Sequence, residues 1–179
     1  MNIAGAYGLE LFDVTYGRES GRNVLRVVLD RRLSISPAAR VVGTARLAPT
    51  LVAGAGTCGT ITGTARFLKQ QNPNIKIIAA DPEMSVFSGG SGRPYLVEGV
   101  GEDFFPAAWD ASLYDEIIPI SDEASFLTAR QVSRDEGVLI GGSGGLAVAA
   151  ALQVAKRADP DDIVVVLNPD SGRGYLSRI

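Results

Sequence analysis

The chain has 179 residues, 46% of them apolar, and its 17 Lys and Arg against 20 Asp and Glu give a formal net charge of -3. That balance leaves no basic footprint for nucleic acid or an anionic membrane. A single Cys, and no run of about 18 apolar residues, argue against a disulfide scaffold and a membrane span. With no His, Ser-His-Asp and Cys-His nucleophile systems are excluded, and no metal site is expected from carboxylates and one thiol alone. The segment Met1 to Tyr7 shows no basic stretch leading into an apolar core, so the cytoplasm is the expected compartment.

In chain order, residues 1–48 read as a segment apart. Leu9 to Tyr16 and Val24 to Asp30 predict a β-hairpin with a longer loop, Gly17 to Asn23. Arg31 to Ala48 is a basic connector, and the composition shift around Arg40 to Pro49 sets the boundary between 1–48 and 49–179. From Leu51 the elements alternate. Leu51-Val52-Ala53 is a strand, Gly54 to Thr60 a glycine-rich turn, Thr60 to Gln71 a helix, Ile75 to Ala80 a strand, and Asp81-Pro82 a breaker. Glu83 to Trp109 is too long for a connector and points to a functional or disordered loop. Glu116 to Ile120 follows as a strand. A helix capped by Ser121 runs to about Glu136 and stops at Gly137, with Asp122 and Glu123 in its first turn.

Val138-Leu139-Ile140 predicts a short buried strand, Gly141 to Gly145 a second glycine turn, Leu146 to Ala158 a helix and Asp162 to Leu167 the last strand. Asn168 to Gly172 turns into a terminal helical stub. The apolar runs Ile75 to Ala80 and Ile163 to Leu167 are nearly continuous, as in strands covered on both faces. The expected fold is α/β, a three-layer α/β/α open and mostly parallel sheet with an N-terminal β-hairpin segment.

The turn Gly54-Ala55-Gly56-Thr57-Cys58-Gly59-Thr60 bunches backbone N–H groups at a helix start, which is a phosphate site. Two ligands satisfy it. Gly54, Gly56 and Gly59 spell G-x-G-x-x-G after a strand, and Asp81 lies about 20 residues on, where it could hold a dinucleotide ribose. The second turn, Gly141 to Gly145, instead suits a phosphate-bearing ring, gripped at one end by amides and met at another polar atom by the Ser143 hydroxyl.

Four motifs in order sharpen this: Gly56-Thr57-Cys58-Gly59-Thr60, Gly99-Val100-Gly101-Glu102-Asp103-Phe104, Gly142-Ser143-Gly144-Gly145, and Pro169 to Ser177. Together they make residues 50–179 resemble the β-family (fold type II) of pyridoxal-phosphate enzymes, on the cystathionine β-synthase and cysteine synthase branch. The resemblance implies part of the tryptophan-synthase-β-like fold, pyridoxal 5'-phosphate as cofactor, an amino-acid substrate and a homodimeric parent. It implies that Gly56, Thr57, Cys58, Gly59 and Thr60 hold the phosphate, that Ser143 meets the pyridine nitrogen, and that Gly99, Val100 and Gly101 line the ring and substrate face. The neutral Ser143 hydroxyl would favour β-elimination and β-replacement.

Two departures stand out. The family has Gly where this chain has Cys58, strained by about a kcal/mol if that position needs positive φ. The family's Schiff-base Lys belongs to an N-terminal portion with no counterpart here, and Lys69, Lys76 and Lys156 fall in no matching motif, so no catalytic residue is assigned and the chain is expected to be inactive alone. Residues 5–40, through Tyr7 to Val14 and Gly21 to Arg31, resemble the hairpin of a bacterial ribosome-maturation factor. An NAD(P)-binding module and a non-enzymatic ribosome-associated protein are therefore the alternative functions.

Other side chains carry two readings each. Cys58 is a reactive thiol at a helix start or a small turn filler. Glu102 and Asp103 are acid/base groups or solvated charges. Phe104, Phe105 and Trp109 form a stacking surface or anchor a loop. Arg93 pairs with an anion or lies on the surface. Gly141 to Gly145 bind a ligand or only allow close packing.

Overall fold

The computed structural model describes residues 10–19, 22–30, 49–92, 94–159 and 162–177, the first two stretches by backbone alone. Among the described residues six strands form one sheet: β1 (Glu10–Glu19), β2 (Arg22–Asp30), β3 (Thr50–Gly54), β4 (Lys76–Pro82), β5 (Glu116–Ile120) and β6 (Ile163–Asn168). Their spatial order is β1-β2-β6-β3-β4-β5. The four strands from β6 to β5 are parallel, while β2 runs antiparallel to both β1 and β6. Among the described residues three α-helices cover the sheet: α1 (Gly59–Gln71), α2 (Asp122–Glu136) and α3 (Gly142–Arg157).

Strand alternation divides the core into two layers. Val52, Ile78, Ala80, Ile118, Ile120, Val164 and Val166 face α2 and α3. Leu51, Ala53, Ile77 and Ala79 face α1 and the long loop, whose Phe87 stacks on Trp109 with centroids 4.4 Å apart. Both faces being buried is what makes the strand sequences continuously apolar. The fold is thus the three-layer α/β arrangement expected.

Several local expectations need correction. The hairpin pairing continues to Glu19↔Arg22, so only residues 20 and 21 lie between the strands in place of a seven-residue loop. The connector 31–48 lies outside the described residues. Asp81-Pro82 does not break β4, because Asp81 pairs with Pro119 and Pro82 with Ile120. Val138 to Ile140 is no sheet strand: Ile140 makes one isolated bridge to Ser171. The Gly141 to Gly145 stretch is no free turn either, since α3 starts at Gly142 with Gly141 as its N-cap. The edge of β6 is covered by β2, from Leu25↔Asn168 to Asp30↔Ile163.

The second helix follows its local signals closely. Ser121 Oγ accepts the Ala124 N–H at 3.1 Å, and Gly137 ends the helix at φ 71°. That left-handed stop costs glycine little.

Candidate functional site

The chain runs from β3 through α1 to β4 and β5, then returns by α3 to β6 on the other side of β3. Neighbouring strands whose connections leave in opposite directions open a crevice at their C-terminal ends, where open α/β sheets bind ligands. The turn after β3 stands there.

Its geometry fits a phosphate. The first intrahelical bond is Thr62 N–H to Cys58 O at 2.9 Å, so the N–H groups of Gly59, Thr60 and Ile61 have no partner within the helix. Cys58, the N-cap, makes no side-chain cap to them. Thr57, Gly59 and Thr60 are exposed, and a methyl group placed on Gly59 would meet nothing within 4 Å. Three unpaired donors at the positive end of a helix, beside two exposed hydroxyls, can take an anion.

The Gly99-Val100-Gly101 segment locks this turn from the side. Gly101 N–H donates to Ala55 O at 2.7 Å, and a Cβ on Gly56 would lie 2.6 Å from Gly99 O. Gly99 and Gly101 have φ of 80° and 74°, so the segment needs glycine at both places. The turn and the segment are therefore brought together. Ser143 is in the first turn of α3, buried to 5% exposure. Beside it a shallow cleft is lined by Leu96, Glu98, Phe126, Gly142 and Tyr175.

Cys58 sits at φ 63°, the left-handed conformation in which a side chain is strained. Its thiol is buried and donates to Gly56 O at 3.0 Å. Burial pushes the thiol pKa up to about 11, against the opposing hydrogen bond of Tyr114 and helped by the nearby charges of Asp81 and Glu102. The helix start does not win, and Cys58 is a turn filler.

Asp81 is completely buried. Its Oδ2 accepts the Ser88 N–H at 3.0 Å, and burial raises its pKa despite hydrogen bonds from Ser88 and Ser85. It is turned into the protein, so it does not stand at the surface to hold a ribose.

The long loop is built inward. Trp109 joins Phe87 and Tyr114 in the α1-side core, and Phe105, though more than half exposed, lays its ring against Phe87 and Trp109, so these two anchor the loop while Phe104 stays exposed. Glu102 fixes the loop through its backbone, its N–H donating to Ser85 Oγ at 3.2 Å and its carbonyl accepting from Val86 at 3.0 Å. Asp103 is exposed, and Arg93 lies outside the described residues. The sequence reading missed Asp122 as a loop anchor: its two carboxylate oxygens accept the N–H groups of Leu96 and Val97 at 2.8 and 3.1 Å.

The three lysines stand away from the crevice. Lys69 is in the last turn of α1, about 15 Å along the helix from Gly59, and pairs with Asp115 at 2.8 Å. Lys76 pairs with Thr50, at the opposite end of the strands from the turn. Lys156 is in the last turn of α3, about 20 Å from Ser143. Among the described residues no cluster of three metal-ligating side chains occurs, and no helix is long and apolar enough to cross a membrane.

Comparison with known proteins agrees with this geometry. Residues 40–170 match the pyridoxal-phosphate dependent enzyme family. An O-acetylserine dependent cystathionine beta-synthase of Bacillus subtilis is 42% identical over 129 residues, which are 72% of this chain and 42% of that protein. A cystathionine beta-synthase of Apis mellifera is 45% identical over 133 residues, covering 72% of this chain and 26% of the relative. The crystal structure of an O-acetylserine dependent cystathionine beta-synthase from Helicobacter pylori superposes with a TM-score of 0.70 at 38% identity, over 74% of this chain and 43% of that one. The chain thus spans less than half the length of these relatives, and it belongs to the pyridoxal-phosphate dependent enzyme family.

Proposed function

We propose that residues 49–179 are the cofactor-phosphate-binding portion of a β-replacement enzyme, and that this chain alone does not turn over substrate. The observation that carries the reading is the open start of α1, where the N–H groups of Gly59, Thr60 and Ile61 have no partner among the described residues, at the end of a turn that Gly101 holds through Ala55 O. In this reading Gly56 to Thr60 grip the phosphate of pyridoxal phosphate, with the Thr57 and Thr60 hydroxyls adding to the amides. Gly99, Val100 and Gly101 present a face without side-chain bulk, and Ser143 meets the ring nitrogen with a neutral hydroxyl. When bound, the cofactor supplies an electron sink for carbanion chemistry. The names of the relatives point to an amino acid bearing a β leaving group, serine or O-acetylserine, with a thiol as second substrate. None of Lys69, Lys76 and Lys156 reaches the crevice, so the chain has no amine there to hold the cofactor covalently or to move a proton at the substrate.

The test is titration of the purified chain with pyridoxal phosphate, followed by borohydride reduction and peptide mass spectrometry. Reversible binding that inorganic phosphate competes away is expected, without a stoichiometric adduct on any one lysine. A stoichiometric single-lysine adduct, or cystathionine or cysteine formed from serine or O-acetylserine, would overturn the inactivity. Failure of phosphate to compete would remove the assignment of the turn.

A further inference from the structure

One polar side chain at the crevice has no use so far. Asn168 ends β6 and is 0% exposed, and neither its Oδ1 nor its Nδ2 has a hydrogen-bond partner among the described residues. A buried carboxamide with both ends unpaired is costly, and native proteins rarely keep one without a purpose. Its place suggests the purpose. β3 and β6 run in parallel register to Ala53↔Leu167, so the next residues, Gly54 and Asn168, end the two strands side by side at the switch point. Val164 and Val166 face α3, and Asn168 continues that alternation. Its Oδ1 lies 2.6 Å from where a Cβ on Gly144 would stand. The side chain is thus aimed at the first turn of α3, next to Ser143. The first bond inside that helix is Gly145 N–H to Gly141 O at 3.0 Å, which leaves the N–H groups of Gly142, Ser143 and Gly144 without helical partners. Gly141, as N-cap, has no side chain to serve them.

We propose that Asn168 is a positioning residue of the crevice, holding the first turn of α3 so that Ser143 is set for the polar atom of a phosphate-bearing heteroaromatic ring. It rests on the cofactor reading above, and it divides the ligand between two ends of the crevice. The α1 turn reads the phosphate, and Asn168 acts through Ser143 only on the ring. The unpaired amide packs on Gly144, and its cost in stability is offset in function by the placement of Ser143 that this packing gives.

The experiment compares the wild-type chain with Asn168→Leu, an apolar side chain of similar volume, using two probes, inorganic phosphate and pyridoxal phosphate. The leucine variant is expected to melt about 4 °C higher, since it removes an unpartnered buried amide. It should bind inorganic phosphate unchanged and pyridoxal phosphate about tenfold more weakly, with an altered absorbance spectrum of the bound ring. Unchanged affinity for both probes overturns the proposal alone and leaves the cofactor reading standing. A lower melting temperature with both affinities weakened shows a structural role and also overturns it. A wild-type chain that binds phosphate but not pyridoxal phosphate removes the cofactor reading and this proposal together. If the leucine variant does not fold, Asn168→Ser serves: selective loss of pyridoxal phosphate supports the role, and equal affinities to wild type overturn it.

Discussion

Two glycine-rich stretches open two helices over the same sheet, Gly54 to Gly59 leading into α1 and Gly141 to Gly145 leading into α3, and in the helix starts themselves they use glycine for opposite ends. At the first, Gly59 keeps space empty: it is exposed, as are Thr57 and Thr60, and a Cβ on it would face nothing within 4 Å, whereas Gly54 and Gly56 admit Val100 and Gly99. At the second, glycine lets other groups in. A Cβ on Gly145 would fall on the Ser125 carbonyl and 2.9 Å from the Ala129 side chain, and one on Gly142 would meet the Phe126 ring at 3.0 Å. α2 thus lies almost backbone to backbone on the start of α3. The letters alone say only that bulk is excluded, while the neighbours decide whether a ligand or a helix excludes it.

The largest effect that would break this contrast is at Gly145. Alanine there has no space to enter, because the obstructing atoms belong to the backbone of α2 and to Ala129. Gly145→Ala is expected to destabilise the chain by about 3 kcal/mol, at the upper end of overpacking costs. Urea unfolding measures it. A loss under 1 kcal/mol would mean that α2 and α3 are not packed as described.

A smaller effect sharpens the first stretch. Cys58 takes the left-handed conformation at φ 63°. Cys58→Ala and Cys58→Gly both remove the thiol, but only glycine relieves the backbone, so the glycine variant should be the more stable by about 1 kcal/mol. The thiol itself reports its burial. With its pKa pushed up to about 11, it is protonated in the folded chain where an unfolded thiol already ionises. The folded state therefore holds its proton longer, and its contribution to stability is present below the ordinary thiol pKa and lost as pH rises towards 11. Labelling by a thiol reagent at pH 8 should be slow in the native chain and become fast on unfolding. Fast native labelling at pH 8 would show that the turn opens and that the thiol is not the buried filler described.

The difference between the two stretches also explains what was legible in the sequence. α2 could be bounded at both ends because its signals are local: the Ser121 hydroxyl on Ala124 N–H at one end, and the left-handed Gly137 at the other. The turn after β3 was legible for the same reason, since strand, glycines and helix follow one another within ten residues. The start of α3 was not. Glycine has poor helix propensity, so Gly142 to Gly145 reads as a turn until the packing of α2 and β6 on it is known. Asp81 looked like a ribose ligand by spacing, but only the fold shows it facing Ser88 inside the protein. Asn168 hid in the same way. Asn-Pro is a turn signal, and nothing local shows that β6 carries Asn168 into the core beside Gly54.

The smallest expected change in stability is the most telling for the first stretch. Gly59 is the first residue of α1, and a methyl group there meets no protein atom within 4 Å. Gly59→Ala should therefore leave stability level or raise it by about 0.5 kcal/mol, through the lower entropy of the unfolded chain. If the open space is where an anion sits on the unpaired N–H groups of α1, the same methyl group stands in its way, and affinity for inorganic phosphate should fall severalfold in an otherwise intact protein. Isothermal titration with phosphate, read beside the unfolding curve, separates the two effects. A variant that keeps full phosphate affinity would show that the space over Gly59 belongs to solvent, and the two glycine stretches would then differ only in how tightly each is packed.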